Sequence, residues 1–177
     1  RSASDIMPYT SEVHKGPFAF RVLKDSKLVK SKSLEGGLTM DFYKSGKIRE
    51  IISVSPLSKY DDVKKQNILY NYLLAFIGSP KLSQGKPAQY ATVWNDTLPG
   101  AYFEIKGDKY SLFVMTVYDD THRYTYYMSK PHDVHVSNYK LRDIVQYVTY
   151  KNTKDGYKKT KLGLGMPSRA FSNNRVH

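Results

Sequence analysis

The chain has 177 residues, no cysteine, and 28 Lys+Arg against 16 Asp+Glu, a formal net charge of +12. That length suits one domain able to stand without metal or disulfide support, and the missing cysteine excludes a disulfide scaffold, a thiolate zinc site and a cysteine nucleophile. No apolar run reaches the roughly 20 residues of a membrane-spanning helix, and the clustered lysines point to a polyanionic partner, nucleic acid or anionic lipid.

Residues 1–17 hold Pro8, Gly16 and Pro17 and no sustained periodicity, which predicts a flexible N-terminal arm. Inside it, Ile6, Met7, Pro8 and Tyr9 form a small apolar island. Phe18 to Leu23 reads as a strand, followed by a stretch studded with Lys24, Lys27, Lys30 and Lys32. Gly36-Gly37 predicts a turn, Leu38 to Tyr43 a second strand, and the β-branched run from Ile48 to Val54 a third. Ser58 and Asp61 mark a helix start, and apolar residues at 63, 70, 74 and 77, then 69, 73 and 76, form a wide helical stripe. Gly78 and Pro80 end that helix, predicted over about 59–77. Residues 79–100, rich in Ser, Gly, Pro and Lys and holding the single tryptophan, Trp94, predict a loop that touches membrane or neighbouring copies.

Ala101 to Lys106 and Lys109 to Tyr118 predict a hairpin about Gly107-Asp108, its second arm apolar on both faces like a central strand. Arg123 to Met128 reads as another strand, closed by Pro131. Ser137 is placed to cap a short helix over about 138–145, with Tyr139, Ile144 and Val145 facing inward. A last hairpin runs through Gln146 to Lys151 and back through Tyr157 to Leu162. The expected fold is a single α+β domain, a twisted, mainly antiparallel sheet packed against two helices. Residues 1–17 would be its arm, 18–165 its core domain and 166–177 its tail.

Two lysine clusters carry the chemistry. Lys15, Arg21, Lys24, Lys27, Lys30 and Lys32 fall within eighteen residues, and Lys151, Lys154, Lys158, Lys159 and Lys161 within eleven. Cations that neutralise phosphates release counterions, giving affinity without sequence reading and a steep salt dependence; near an anionic leaflet they attract it too. The 16 tyrosines suit either base stacking or packing half-buried on a sheet with the hydroxyl wet, and the second is the commoner use. His122, His132 and His135 lie close together, but His132 and His135 sit in a stretch that reads as extended, which opposes a zinc site. Asp61-Asp62 fits a helix start and Asp119-Asp120 a strand end, so no catalytic pair, metal or cofactor is expected, nor any small-molecule substrate.

Two segments in a fixed order carry a resemblance. Leu74-Ala75-Phe76-Ile77-Gly78-Ser79 closes the long helix, and Met115-Thr116-Val117-Tyr118-Asp119-Asp120 closes a strand. With a terminal helix and hairpin over 141–164, they resemble the core of rhabdovirus matrix proteins, the motif residues being Leu74, Phe76, Gly78, Tyr118, Asp119 and Asp120. The interval between the segments is shorter than in the animal-virus members and no Pro-Pro-x-Tyr motif is present, so the chain looks more like the matrix proteins of plant-infecting rhabdoviruses.

The resemblance implies a structural protein, not an enzyme, that self-associates, condenses the viral nucleocapsid and links it to the anionic inner face of the envelope for budding. It would reside in the virion beneath the envelope, and in the host cytoplasm and at the inner membrane surface, with room for a contact to the viral glycoprotein. The resemblance also implies that Ile6, Met7, Pro8 and Tyr9 dock on a neighbouring copy, head to tail, so that removing residues 1–12 lowers self-association and spares the fold. A basic nucleic-acid-binding protein of an organelle or ribosome, its presequence removed ahead of Arg1, is the alternative.

Overall fold

The computed structural model describes residues 6–57, 86–94, 99–152 and 156–159. The helix expected over 59–77, with Leu74, Phe76 and Gly78, lies outside them, as do Lys154, Lys161 and the tail.

The described strands make two antiparallel sheets rather than the one expected. The smaller has the order β1-β2-β10-β11, formed by β1 (Thr10–Lys15), β2 (Phe18–Leu23), β10 (Val148–Asn152) and β11 (Gly156–Lys159). The larger has seven strands in the order β3-β4-β5-β9-β8-β7-β6: β3 (Lys27–Ser33), β4 (Thr39–Ser45), β5 (Ile48–Pro56), β6 (Lys86–Trp94), β7 (Pro99–Lys106), β8 (Tyr110–Tyr118) and β9 (His122–Pro131). A single α-helix, α1 (Asn138–Gln146), is found among the described residues, beside two 3-10 turns at Met7–Tyr9 and Glu35–Gly37.

The core forms where the sheets meet. Along β2, Phe18, Phe20 and Val22 are buried. Phe18 meets Tyr124 edge-on, with ring centroids 4.9 Å apart, and Phe20 meets Tyr126 at 6.2 Å. In α1 the buried Leu141, Ile144 and Val145 fall at i, i+3 and i+4 and close one end of this core. Tyr139, expected inward, is 68% exposed because it lies off that stripe. Ser137 leads the helix with its backbone carbonyl, bonded by Leu141 N–H, and makes no side-chain cap. Strand β8 is buried on both faces, the pattern its uninterrupted apolar run foretold.

Two segments read as irregular are strands. Thr10–Lys15, assigned to the flexible arm, pairs along its whole length with β2, and Ile6 ahead of it is in the core. As an edge strand β1 covers the sheet through few inward residues, chiefly Thr10 and Val13, so its sequence has no apolar alternation to read. Removing residues 1–12 would take away Ile6 and the Thr10 partner of Arg21, so such a deletion is now expected to cost core contacts as well as the arm. Lys86–Trp94, assigned to a loop, is the opposite edge of the large sheet, with Trp94 at its end.

Candidate polyanion-binding face

Opposed residues in an antiparallel pair project from the same face. In the large sheet Lys27 opposes Lys44, Lys30 opposes Phe42 and Lys32 opposes Met40. Lys44 in turn opposes Arg49 on β5. Simple alternation would send Lys27 and Lys30, three residues apart, to opposite faces. The register slips between Leu28 and Lys30, leaving Val29 as an extra residue, and this bulge brings Lys27 into phase with Lys30 and Lys32. Five exposed cations, Lys27, Lys30, Lys32, Lys44 and Arg49, therefore share the outer face of β3, β4 and β5.

The acids lie on the other side. The seven strands hold three carboxylates, Asp41, Glu50 and Glu104, opposed to Ile52, Tyr43 and Phe113 respectively, all on the core-facing side. Each is engaged there. Asp41 accepts from Lys15 and from Ser31 Oγ at 2.7 Å, and these bonds outweigh its burial and hold its carboxyl below the usual range. Glu50, fully buried, accepts from the Tyr126 and Ser26 hydroxyls and from Leu23 N–H at 3.1 Å. Burial pushes its carboxyl up, and the hydrogen bonds offset that only in part. Glu104 takes a two-point grip from Arg142 of α1, at 3.0 and 2.9 Å, yet burial still raises it.

On the outer face the local field is cationic. Repulsion from Lys32, two residues away on the same face, is the main reason the Lys30 ammonium sits below its ordinary range. Lys32 also lies 5.6 Å from the centroid of the half-buried Phe42 ring. An anion bridging Lys30 and Lys32 would relieve that repulsion.

The structure sorts the rest of the first lysine cluster. Lys15 is committed to Asp41. Arg21 is buried and donates to Thr10 Oγ1 at 3.0 Å, Thr10 O at 3.2 Å and Glu12 at 3.2 Å, so it braces β1 against β2 instead of meeting a partner. Lys24 is exposed at the rim of a separate open groove of about 460 Å³, lined also by Pro8, Tyr9, Leu23, Ile48 and Lys140. Lys151 lies on β10 and Lys158 and Lys159 on β11, distant in the chain from the large sheet's face. Lys44 and Arg49 were outside the sequence-derived set. Only strand pairing brings them to Lys27, and the signal that could have found them is the turn at Gly36-Gly37, about which Lys32 reflects onto Met40.

The apolar island does not act as a unit. Ile6 is in the core, whereas Met7 and Tyr9 are exposed and the Lys140 ammonium sits 3.6 Å from the Tyr9 ring centroid. Of the strand-end motif, Tyr118 is buried and Asp120 exposed. Asp119 ties the β8–β9 turn, accepting from Tyr124 Oη at 2.7 Å, His122 N–H at 2.7 Å and Thr121 N–H at 2.9 Å. Burial alone would raise its carboxyl, but these donors hold it below the usual range. His132 contacts Gly107 O at 2.6 Å and His122 contacts Thr121 Oγ1 at 2.7 Å, and no group of three metal-binding side chains occurs among the described residues. Nor is any helix among them long and apolar enough to cross a membrane.

Set against the models of known protein families and against curated proteins, the chain matches none.

Proposed function

We propose that the chain is a viral matrix protein of the rhabdovirus kind, a non-enzymatic structural protein that binds polyanions and assembles with copies of itself. The observation that supports this reading best is the division of the large sheet into an acid-bearing inner face and an outer face with five exposed cations and no strand carboxylate. Lysine predominates there, which suits diffuse attraction to a charged surface over bidentate recognition of one group. The carboxylates of the described strands of this sheet are each bound to structural partners, so the reading asks no chemistry of them. Exposed Tyr9, which lines the groove with Pro8, and exposed Met7, its near neighbour in the chain, are the candidates for a contact with a neighbouring copy.

Sedimentation velocity of the pure protein from about 50 to 500 mM salt, alone and with anionic vesicles, tests the reading, since the range spans the counterion effect. Reversible growth into large oligomers at low salt, with vesicle co-sedimentation, is expected. A monomer at every salt that ignores vesicles and binds RNA stoichiometrically would instead favour a nucleic-acid-binding protein of an organelle or ribosome.

A further inference from the structure

Four serines are exposed among the described residues: Ser11, Ser31, Ser33 and Ser137. Of these, Ser33 alone follows cations at both one and three residues' distance, Lys32 and Lys30, and the residue after it is the exposed aliphatic Leu34. Ser31 donates its hydroxyl to Asp41 at 2.7 Å, and the half-buried Ser26 and Ser45 likewise donate to Glu50 and Asp25. Ser33 opposes Thr39 at the last rung of the β3–β4 ladder, on the face opposite to that of Lys30 and Lys32.

An exposed serine on a strand is ordinarily a solvating residue, and Ser11 on β1, preceded by Pro8 and Thr10, needs no other account. The setting of Ser33 differs in shape as well as in charge. All seven residues of β3 are exposed, and the strand is a free edge of the large sheet. Leu34 continues extended, at φ −111° and ψ 169°, before the chain turns at Gly36 and Gly37, both at positive φ. From Lys30 to Leu34 the backbone is therefore extended and open on the side away from β4. A protein kinase takes its substrate as an extended segment and selects it by charge pattern, and cations ahead of the acceptor suit a kinase with an acidic cleft.

Resting on the polyanion-binding reading, we propose that Ser33 is a phosphorylation site for a basophilic protein kinase and that its phosphate weakens the cationic face. In the transfer Ser33 Oγ bonds to the γ-phosphorus of ATP, the bond from that phosphorus to the ADP oxygen breaks, and the hydroxyl proton passes to the kinase's carboxylate base. Phosphoserine brings about two negative charges at neutral pH and three strong acceptor oxygens. Three residues of strand span roughly 10 Å, the distance over which charge is felt at 0.1 M salt, so the phosphate acts on both Lys32 and Lys30. Asp41, diagonal to Ser33 across the ladder, is already engaged by Lys15 and turns the phosphate towards the lysines. Two cations that repel each other thereby gain a partner that competes with any external polyanion.

To test this, the folded chain is incubated with MgATP and the catalytic domain of protein kinase C, and phosphate is located by mass spectrometry. Ser33 should be modified and Ser31 not, and Ser33→Ala should remove the phosphate from β3. Ser33 left unmodified in the folded chain, even where an isolated peptide of residues 27–37 accepts phosphate, would overturn the site. Phosphorylated and unmodified protein are then compared for binding to phosphatidylcholine vesicles containing phosphatidylserine and to a single-stranded oligonucleotide. Phosphorylation should weaken binding to whichever probe the unmodified protein holds. On vesicles the fall should be fivefold or more, the equivalent of one to two lysine contacts at about 1 kcal/mol each. Ser11→Glu, which adds a negative charge on the other sheet, should stay close to the parent. Unchanged binding by the phosphorylated protein would overturn the switch and leave the polyanion reading standing. Unmodified protein that ignores both probes would overturn that reading, whatever the kinase does at Ser33.

Discussion

Gly16 occupies one of the tightest positions of the described chain. It turns β1 into β2 at φ +55°, and an added Cβ would collide with the Tyr124 hydroxyl. That hydroxyl is the one bonded to Asp119, so a side chain at position 16 would strain the turn and disturb the β8–β9 knot together. Gly16→Ala is expected to destabilise by about 1–2 kcal/mol from the left-handed backbone alone, more if Tyr124 must shift, as read by chemical denaturation. Glu50 gives a prediction about pH. Its folded carboxyl is raised above the ordinary 4.5, so its contribution to stability is full below that value and is lost as pH rises through the folded value. Relative to Glu50→Gln, the melting temperature of the parent should therefore fall as pH is raised from about 4.5 towards neutrality. Asp41 and Asp119 are shifted down and act below 3.8, outside this window, while Glu104 is common to both proteins. A difference that does not vary with pH would contradict the assignment. Little of this was legible beforehand: the tyrosines read as half-buried with wet hydroxyls, whereas Tyr126 is wholly buried with its hydroxyl on Glu50. A composition cannot show which carboxylate waits at the other end of a tyrosine.

At the scale of elements, turns and branched residues were good guides. Phe18–Leu23 has the bounds expected of it, and Gly46-Lys47 and Gly107 separate strands where the pattern put breaks. The edges were not legible, because β1 is mostly polar, β6 carries Pro87 and Gln89, and an edge strand need not alternate. Least legible was the bulge. Lys27, Lys30 and Lys32 look like a loose cluster in the sequence, and only the extra residue at Val29 makes them one face. Deleting Val29 keeps every charge, removes the extra residue, and leaves Lys27, Lys30 and Lys32 in plain alternation on one face opposite Lys44, Phe42 and Met40. Partition onto anionic vesicles should therefore stay close to that of the parent. A fall of fivefold or more, the equivalent of losing one lysine contact worth about 1 kcal/mol, in a folded deletion variant would mean that the bulge itself, and not the shared face, makes the contact.

The whole molecule separates its charges. Inside, the carboxylates of the large sheet meet Lys15, Arg142 and buried hydroxyls, and outside, the face at β3, β4 and β5 is left with cations. The net charge of +12 announced a polyanion partner without saying where it would sit. The matrix-protein likeness rests on motifs of which Tyr118, Asp119 and Asp120 are placed at a strand end, while Leu74, Phe76 and Gly78 fall outside the described residues. The central claim is that position, not total charge, governs binding. The most direct measurement compares two double variants of equal net charge, Lys30→Glu/Lys32→Glu on the outer face and Lys106→Glu/Lys109→Glu at the β7–β8 hairpin, in salt-resolved co-sedimentation with anionic vesicles. The first should lose binding and most of its salt dependence while the second stays close to the parent. Equal losses in the two variants would show that the protein binds by net charge alone, and the cationic face would then have no claim to be the site.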